Sequence, residues 1–351
     1  MSALLPASPT VPLPTPSQPV LDGRRLPLPP EILVLALESL PTADLASCLR
    51  VNSGFAHLSL PLLYQHVRLG DRAWPGYDDA SISGPLTLSR PTYLSFAPLV
   101  HRTHTVDIYS HPTTRCTLHT LPPFPNLAVI RLFLGKVWSG RRIFHTDTPT
   151  ASSPSPSSPC TALCLMHAPK LVVRGLTLAH SGIPHLPRSL EVSVNHLVAV
   201  FEPEAPFILP RNGLVAARAA AAHFRATLPE NTSHLTLVFR GRNWRNCNAT
   251  LSWALVHAYA SALWAQVIGW VCKGGRLTIV NVGALAAAKE GETPCAADCA
   301  ALQAAIRRYF AVDIAERMGD DAGAVLEHLT FWSMDQFLTL EEAGDVFDAD
   351  E

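Results

Sequence analysis

The chain has 351 residues, of which 48% are hydrophobic and only 16% are charged. This balance supports a sizeable packed core and excludes a chain that is disordered throughout. The formal net charge is -1, so no bulk field attracts nucleic acid or an anionic membrane, and we expect neither as a partner.

The first 25 residues are rich in Pro, Ser and Thr, which predicts a disordered tail. Its prolines exclude a helix and favour extended polyproline conformations. No basic segment precedes an apolar core at this end, so the sequence predicts no signal peptide. We therefore expect a cytoplasmic or nuclear location, or both, and eight cysteines that remain thiols.

Residues 26–70 are predicted to form a compact helical module. The two prolines at 29–30 suit the first turn of a helix, where a missing N–H costs nothing. Pro41 ends this helix, and Thr42 is a good N-cap for a second one. A third amphipathic stretch follows Gly54.

The leucines of this module exceed what three short helices can bury among themselves. A unit of fewer than about 50 residues usually needs a partner or a larger domain for stability. The apolar stripe therefore either docks a partner or packs against the rest of the chain, and the pattern alone leaves both readings open.

The segment LPPEILVLALESLPTADLASCLRVNSGFAHLSLPLLYQHVRL resembles an F-box, in the form common in fungal proteins. Six groups carry the resemblance: Leu-Pro at 28–29, Glu-Ile-Leu at 31–33, Leu-Pro at 40–41, Asp-Leu at 44–45, Val-Asn at 51–52 with Phe55, and Pro-Leu-Leu-Tyr at 61–64. The segment covers about an eighth of the chain. Gly54 stands where many members carry a larger or basic residue, and Phe55 where tryptophan is frequent.

The resemblance implies a non-enzymatic adaptor that binds the Skp adaptor and thereby joins a cullin–RING ubiquitin ligase. The chain would then be the substrate-recognition subunit, with a protein substrate that the sequence does not name. An F-box scaffold that acts outside ubiquitination is the alternative. The residues implied in Skp-adaptor binding are Leu28, Pro29, Glu31, Ile32, Leu33, Leu37, Leu40, Leu45, Val51, Phe55 and Leu62.

Residues 96–340 alternate between strand-like and helix-like segments. Alternating aliphatic and β-branched residues predict half-buried strands at 127–134, 171–178, 190–196, 234–240, 275–282 and 328–332. Helical stretches are predicted at 214–228, 251–272 and 298–318.

The spacing of these strands, mostly near forty residues but uneven, favours a repeated strand–helix unit. Many F-box proteins carry leucine-rich repeats behind the F-box, which agrees with a degenerate repeat here. We therefore predict an α+β or α/β fold: an N-terminal three-helix F-box, then an irregular leucine-rich-repeat-like domain. An irregular α/β domain with a mixed sheet is the alternative.

Residues 251–272 contain no Asp, Glu, Lys or Arg and are long enough to span a membrane. Polar residues interrupt the stretch, many positions are alanine, and strand-like segments lie on both sides. A helix that is apolar nearly all round is also typical of a protein core, which is the reading we favour.

Three further segments are predicted to lie outside the packed core: a connector at 71–95, a disordered Ser/Pro-rich insertion at 146–162 and an acidic tail at 341–351. No nucleotide-binding, nucleophile-elbow or zinc-protease motif is present, and the Cys-x₃-Cys pairs lack zinc spacing. We therefore predict no catalytic residue, cofactor or metal. Arg242, Trp244 and Arg245 are the residue types that dominate protein-binding hot spots, and they are the predicted substrate contacts.

Overall fold

The computed structural model describes residues 28–69, 97–109, 124–134, 163, 166–176, 178, 186, 188–202, 213–240, 251–285 and 296–347. The predicted tail, connector and Ser/Pro-rich insertion lie outside these residues. The chain divides into two compact units between Leu62 and Leu63.

Three helices lie in and at the end of the N-terminal unit: α1 (Pro30–Glu38), α2 (Thr42–Cys48) and α3 (Ser53–Leu63). Helix α1 begins where the prolines predict, because the Pro29 carbonyl accepts the amides of Ile32 and Leu33 at 3.1 Å. Pro41 separates α1 from α2, but Thr42 is already helical and Pro41 holds the N-cap position.

Helix α3 begins at Ser53, two residues earlier than the sequence predicts. The Asn52 side-chain oxygen accepts the Phe55 amide at 2.9 Å and satisfies one of the free N–H groups at the helix start. Gly54 therefore lies within the first turn of α3 and is buried, instead of loosening the chain before it.

The second unit is an α/β structure built on an eight-stranded parallel sheet in sequential order. Its strands are β1 (His66–Leu69), β2 (Thr105–Tyr109), β3 (Val129–Phe133), β4 (Lys170–Leu176), β5 (His196–Phe201), β6 (His234–Phe239), β7 (Arg276–Val280) and β8 (Leu329–Trp332). All seven pairings are parallel, so the sheet is not mixed. Strand β1 belongs to this sheet although the sequence assigned it to the helical module.

Sequential parallel order has a consequence for the connections. Crossovers between parallel neighbours are right-handed, so repeated steps in one direction favour one face of the sheet for the crossover helices that the structure describes. The helices of this unit are α4 (Arg188–Ser193), α5 (Gly213–Ala226), α6 (Leu251–Val271), α7 (Ala296–Met318), α8 (Ala322–Leu326), α9 (Met334–Leu338) and α10 (Glu341–Gly344). We call the face that contacts α5, α6 and α7 the helix face.

A chain of aromatic rings joins the helix face to its helices. Phe239 of β6 meets Trp264 of α6 edge-on, with ring centroids 5.7 Å apart. Trp264 in turn lies 5.9 Å from Phe310 of α7, and Phe310 lies 6.3 Å from Phe331 of β8. Such pairs contribute beyond their buried area, so they fix the helices against the sheet.

Helix α6 is a core helix, as its uncharged sequence predicts. Leu263, Trp264, Val267 and Ile268 are all buried. Within the part of the chain that the structure describes, no helix has the length and apolarity to cross a bilayer.

The opposite side of the sheet, which we call the open face, is also buried over much of its area. Valines from β3 to β7 form one cluster with residues of the C-terminal segment, among them Phe337, Ala343, Val346 and Phe347. Strands β3 to β6 are therefore buried on both sides and not half-buried as predicted, which is usual for parallel sheets, whereas β8 at the edge is largely half-buried. The predicted acidic tail is likewise corrected in part, because Ala343, Val346 and Phe347 are buried in the core.

Most predicted strands and helices of this unit match observed ones to within a few residues. The exception is 190–196, predicted as a strand, which is mostly α4. Leu190 and Val194 are four residues apart and both buried, which is the spacing of one side of a helix. The same residues also alternate with polar ones, so the sequence pattern fits a strand equally well. Strand β5 begins where the predicted one ends. Strand β2 was missed because Asp107 interrupts its apolar pattern.

Gly175 is required where β4 changes register against β5. Its φ is +78°, and an added Cβ would lie 2.5 Å from the Leu134 carbonyl oxygen. We expect Gly175→Ala to lower the free energy of unfolding by about 1–3 kcal/mol, because the left-handed backbone is strained for alanine. Urea unfolding measures this loss. Gly323→Ala is the control, since that helical glycine has open space around it and the change should be neutral or stabilising.

Candidate functional site

The N-terminal unit exposes large apolar side chains. Leu28, Ile32 and Leu35 are 47%, 48% and 64% exposed, and Val51, in the turn after α2, is 62% exposed. Ile32 and Leu35 are three residues apart in α1 and so lie along one side of it, whereas Leu28 lies two residues before the helix begins. We call these four residues the N-terminal apolar patch.

The predicted Skp-adaptor contacts fall into three groups. Exposed are Leu28, Pro29, Glu31, Ile32 and Val51; half-buried are Leu40, Phe55 and Leu62; buried are Leu33, Leu37 and Leu45. The buried leucines stabilise the chain and are not accessible to a partner. Leu35 is missing from the predicted set, although its spacing of three residues from Ile32 was a signal for it.

A buried ionic cluster lies on the open face where β1, β2 and β3 meet. Asp107 and Arg131 are register partners on adjacent strands, and Arg131 donates to both carboxylate oxygens, at 2.6 and 3.2 Å. His66 Nε2 lies 2.9 Å from Asp107 Oδ2 and 2.6 Å from Arg131 Nη2. Asp107 and Arg131 are almost fully buried, so each neutralises the other.

The protonation of Asp107 follows from these neighbours. Burial by itself raises the pKa of this carboxyl group, but the hydrogen bond and charge of His66 and the charge of Arg131 outweigh it. The pKa of Asp107 is therefore lowered, and the group is ionised at neutral pH.

A second polar row crosses the middle of the open face. Lys170, His196 and His234 are register partners on β4, β5 and β6. The two imidazole rings stack with centroids 4.0 Å apart, and their Nε2 atoms lie 3.0 Å from the hydroxyl groups of Thr236 and Thr278. Burial, with repulsion from His234 and Lys170, lowers the pKa of His196 to about 3, so this ring is neutral at physiological pH.

The C-terminal segment contacts this row and its neighbours by charge. Lys170 Nζ donates to Asp345 Oδ2 at 2.8 Å. The guanidinium carbons of Arg174 and Arg240 lie 5.5 and 5.3 Å from the centre of the Phe347 ring. In these contacts the sheet supplies basic groups, and the segment supplies a carboxylate and an aromatic ring.

Sequence reasoning missed these open-face residues, although a signal was present. Arg131 and Arg174 each interrupt an otherwise apolar strand kernel, LAVIRLFL and LVVRGLTL. A charged residue in the middle of a buried strand needs a partner from a neighbouring strand or segment. The sequence could not show that Asp107 lies beside Arg131, because this depends on the register of β2 and β3. It also could not show that the C-terminal segment brings Asp345 to Lys170.

The predicted substrate contacts Arg242, Trp244 and Arg245 lie outside the residues that the structure describes. Among the described residues, no group of three or more His, Cys, Asp or Glu side chains is placed to hold a metal ion. Comparison with protein-family models, curated proteins and solved structures finds no match to this chain.

Proposed function

We propose that the chain is a substrate-recognition adaptor of a Skp–cullin–F-box ubiquitin ligase, acting in the cytoplasm or nucleus. The N-terminal unit binds the Skp adaptor as an F-box, and the second unit binds a protein substrate through a leucine-rich-repeat-like sheet. The adaptor itself catalyses no step.

The observation that carries the proposal is the N-terminal apolar patch. Four large aliphatic side chains in a unit of three short helices stay in water, which costs roughly 25 cal/mol for each Å² of apolar surface left exposed. Large aliphatic side chains that stay exposed in a small helical unit favour a partner that covers them. The patch coincides with residues that carry the F-box resemblance, among them Leu28, Ile32 and Val51.

The second unit supports the division of labour. A parallel sheet in sequential order is the arrangement that stacked strand–helix units produce, and such stacks present an extended surface. The helical unit is too small to hold two interfaces, so substrate choice is assigned to the sheet. Arg242, Trp244 and Arg245, which follow β6 in the chain, remain the proposed loop contacts.

We expect Ile32→Asp to weaken Skp-adaptor binding by about ten- to a hundredfold. Burial of one such side chain contributes about 1.5–3 kcal/mol, and a carboxylate in the same interface adds a desolvation cost. The double change Leu28→Ala with Pro29→Ala should act in the same direction, because it removes an anchor and the helix start. Titration of purified full chain with the Skp adaptor measures both.

Val312→Asp is the matched control, since Val312 is 52% exposed but lies on α7 of the second unit. Its binding should equal that of the unchanged chain. Full affinity of both N-terminal variants would contradict the F-box assignment. Co-purification of a cullin with the Skp adaptor supports ubiquitination, whereas the Skp adaptor without cullin supports the scaffold alternative.

A further inference from the structure

Part of the open face of the sheet, from β3 to β7, packs against the chain's own C-terminal segment, residues 333–347. The segment begins directly after β8, at Ser333, which forms a capping box with Gln336. It then contributes Ala343, Val346 and Phe347 to the cluster that contains the valines of the open face. The face therefore already shows how it accommodates a short peptide segment.

Two side chains of the segment, a carboxylate and an aromatic ring, contact basic groups of the sheet. The carboxylate of Asp345 pairs with Lys170 at 2.8 Å, and Lys170 is itself nearly buried. Two residues later, the Phe347 ring lies within 5.5 Å of the guanidinium groups of Arg174 and Arg240, a cation–π arrangement. Val346, between them, is fully buried.

The side chains of the sheet that face the segment include three basic groups. Lys170 and Arg174 belong to β4, and Arg240 follows β6. Glu202 lies 3.6 Å from Arg240 and 4.0 Å from Arg174, so one carboxylate serves two guanidinium groups. An incoming carboxylate at the position of Asp345 complements this basic surface.

The segment is attached to the sheet by side chains and not as a ninth strand. The backbone amides of Phe337, Leu340, Ala343 and Val346 all donate to carbonyl groups within the segment itself. Short helical turns of this kind can leave a sheet without breaking its ladder of hydrogen bonds, so an equivalent segment of another chain can replace them.

From these contacts we infer that the open face is the docking site for a partner protein segment in which an acidic residue stands two positions before an aromatic one. Residues 341–347 occupy that site within the same chain and compete with the partner. The inference rests on the proposed function in one respect, since the partner segment would belong to the substrate.

The competition should lower the apparent affinity of the open face for an added peptide. A segment tethered beside its site acts at an effective concentration on the order of millimolar, so the same sequence added in trans binds the unchanged chain weakly. Weakening the tethered segment raises the fraction of open sites, and the apparent affinity for a free peptide rises by the same factor.

The test uses a fluorescently labelled synthetic peptide of residues 339–351 and the full chain. The release variant combines Asp345→Asn with Phe347→Ala, and fluorescence anisotropy measures binding. We expect this variant to bind the peptide at least about tenfold more tightly than the unchanged chain does. A control peptide that carries the same two substitutions should bind neither chain. Equal, weak binding of both peptides to a folded release variant would overturn the inference.

Hydrogen exchange on the unchanged chain decides the matter if the release variant does not fold. A displaceable segment detaches while the sheet stays folded. The amides of Ala343 and Val346 should therefore exchange at least about a hundredfold faster than those of Val198 and Val238. Equal rates would mean that the segment leaves only when the sheet unfolds, and the inference fails. Neither measurement involves the Skp adaptor, so failure here is separable from failure of the F-box assignment.

Discussion

Replacing Asp107 by asparagine should lower the free energy of unfolding by about 3–5 kcal/mol, because it leaves the Arg131 guanidinium buried without a compensating charge. Arg131 is 2% exposed, and the shorter of its two hydrogen bonds to Asp107, at 2.6 Å, has the length of a charge-assisted bond. Urea unfolding of the full chain, followed by circular dichroism, measures the loss.

The control for this prediction is Asp313→Asn on α7. Asp313 also pairs with an arginine, Arg317, at 2.9 Å, but this pair is partly exposed and within one helix. Its removal should cost less than about 1 kcal/mol. Changing both Asp107 and Arg131 to apolar residues should cost less than changing Asp107 alone to leucine, since no unpaired charge then remains. A small loss for Asp107→Asn would mean that the cluster is hydrated.

The same pair predicts a pH dependence. The pKa of Asp107 is lower in the folded chain than its unfolded value near 4, so the ionised carboxylate stabilises the fold. This contribution is complete above about pH 4 and is lost as the pH falls through the lower, folded pKa. The stability difference between the unchanged chain and Asp107→Asn should therefore be constant near neutral pH and shrink in acid.

Phe310→Ala should lower the free energy of unfolding by about 3–5 kcal/mol, through lost burial and the cavity left behind. Phe310 is fully buried and meets Trp264 and Phe331, so it joins α7 both to α6 and to the edge strand β8. Chemical unfolding of the full chain again gives the value, and weaker protection of β8 amides in hydrogen exchange should accompany it.

Tyr309→Ala is the matched control, because Tyr309 is the preceding residue of the same helix and is 45% exposed. Both substitutions change a large aromatic residue to alanine in α7, so helix propensity contributes equally little. The Tyr309 variant should lose less than about 1 kcal/mol. Equal losses of stability at the two positions would show that burial of Phe310 does not hold α7 against α6 and β8.

Local sequence patterns were sufficient to locate most helices and strands of this protein. Prolines at 29, 30 and 41 set the limits of α1, and runs such as HLTLVFR and GRLTIVNV predicted β6 and β7 within two residues, because both signals act over a few neighbouring residues. The uncharged stretch at 251–272 predicted the core helix α6 for the same reason. The F-box resemblance is likewise a local pattern of spacing, and the docking unit that it implies stays a prediction.

Which side chains face water and which contact each other depends on how the elements pack. Leu33 and Ile32 are adjacent aliphatic residues, yet one is buried and the other exposed, a choice set by packing around α1 and not by residue type. Asp107 meets Arg131 because β2 pairs with β3 in register, and Lys170 meets Asp345 across 175 positions of sequence. Contacts of this kind depend on chain reversal and register, which no local pattern encodes. The C-terminal segment therefore reads as an acidic tail in the sequence and packs against part of the open face in the fold.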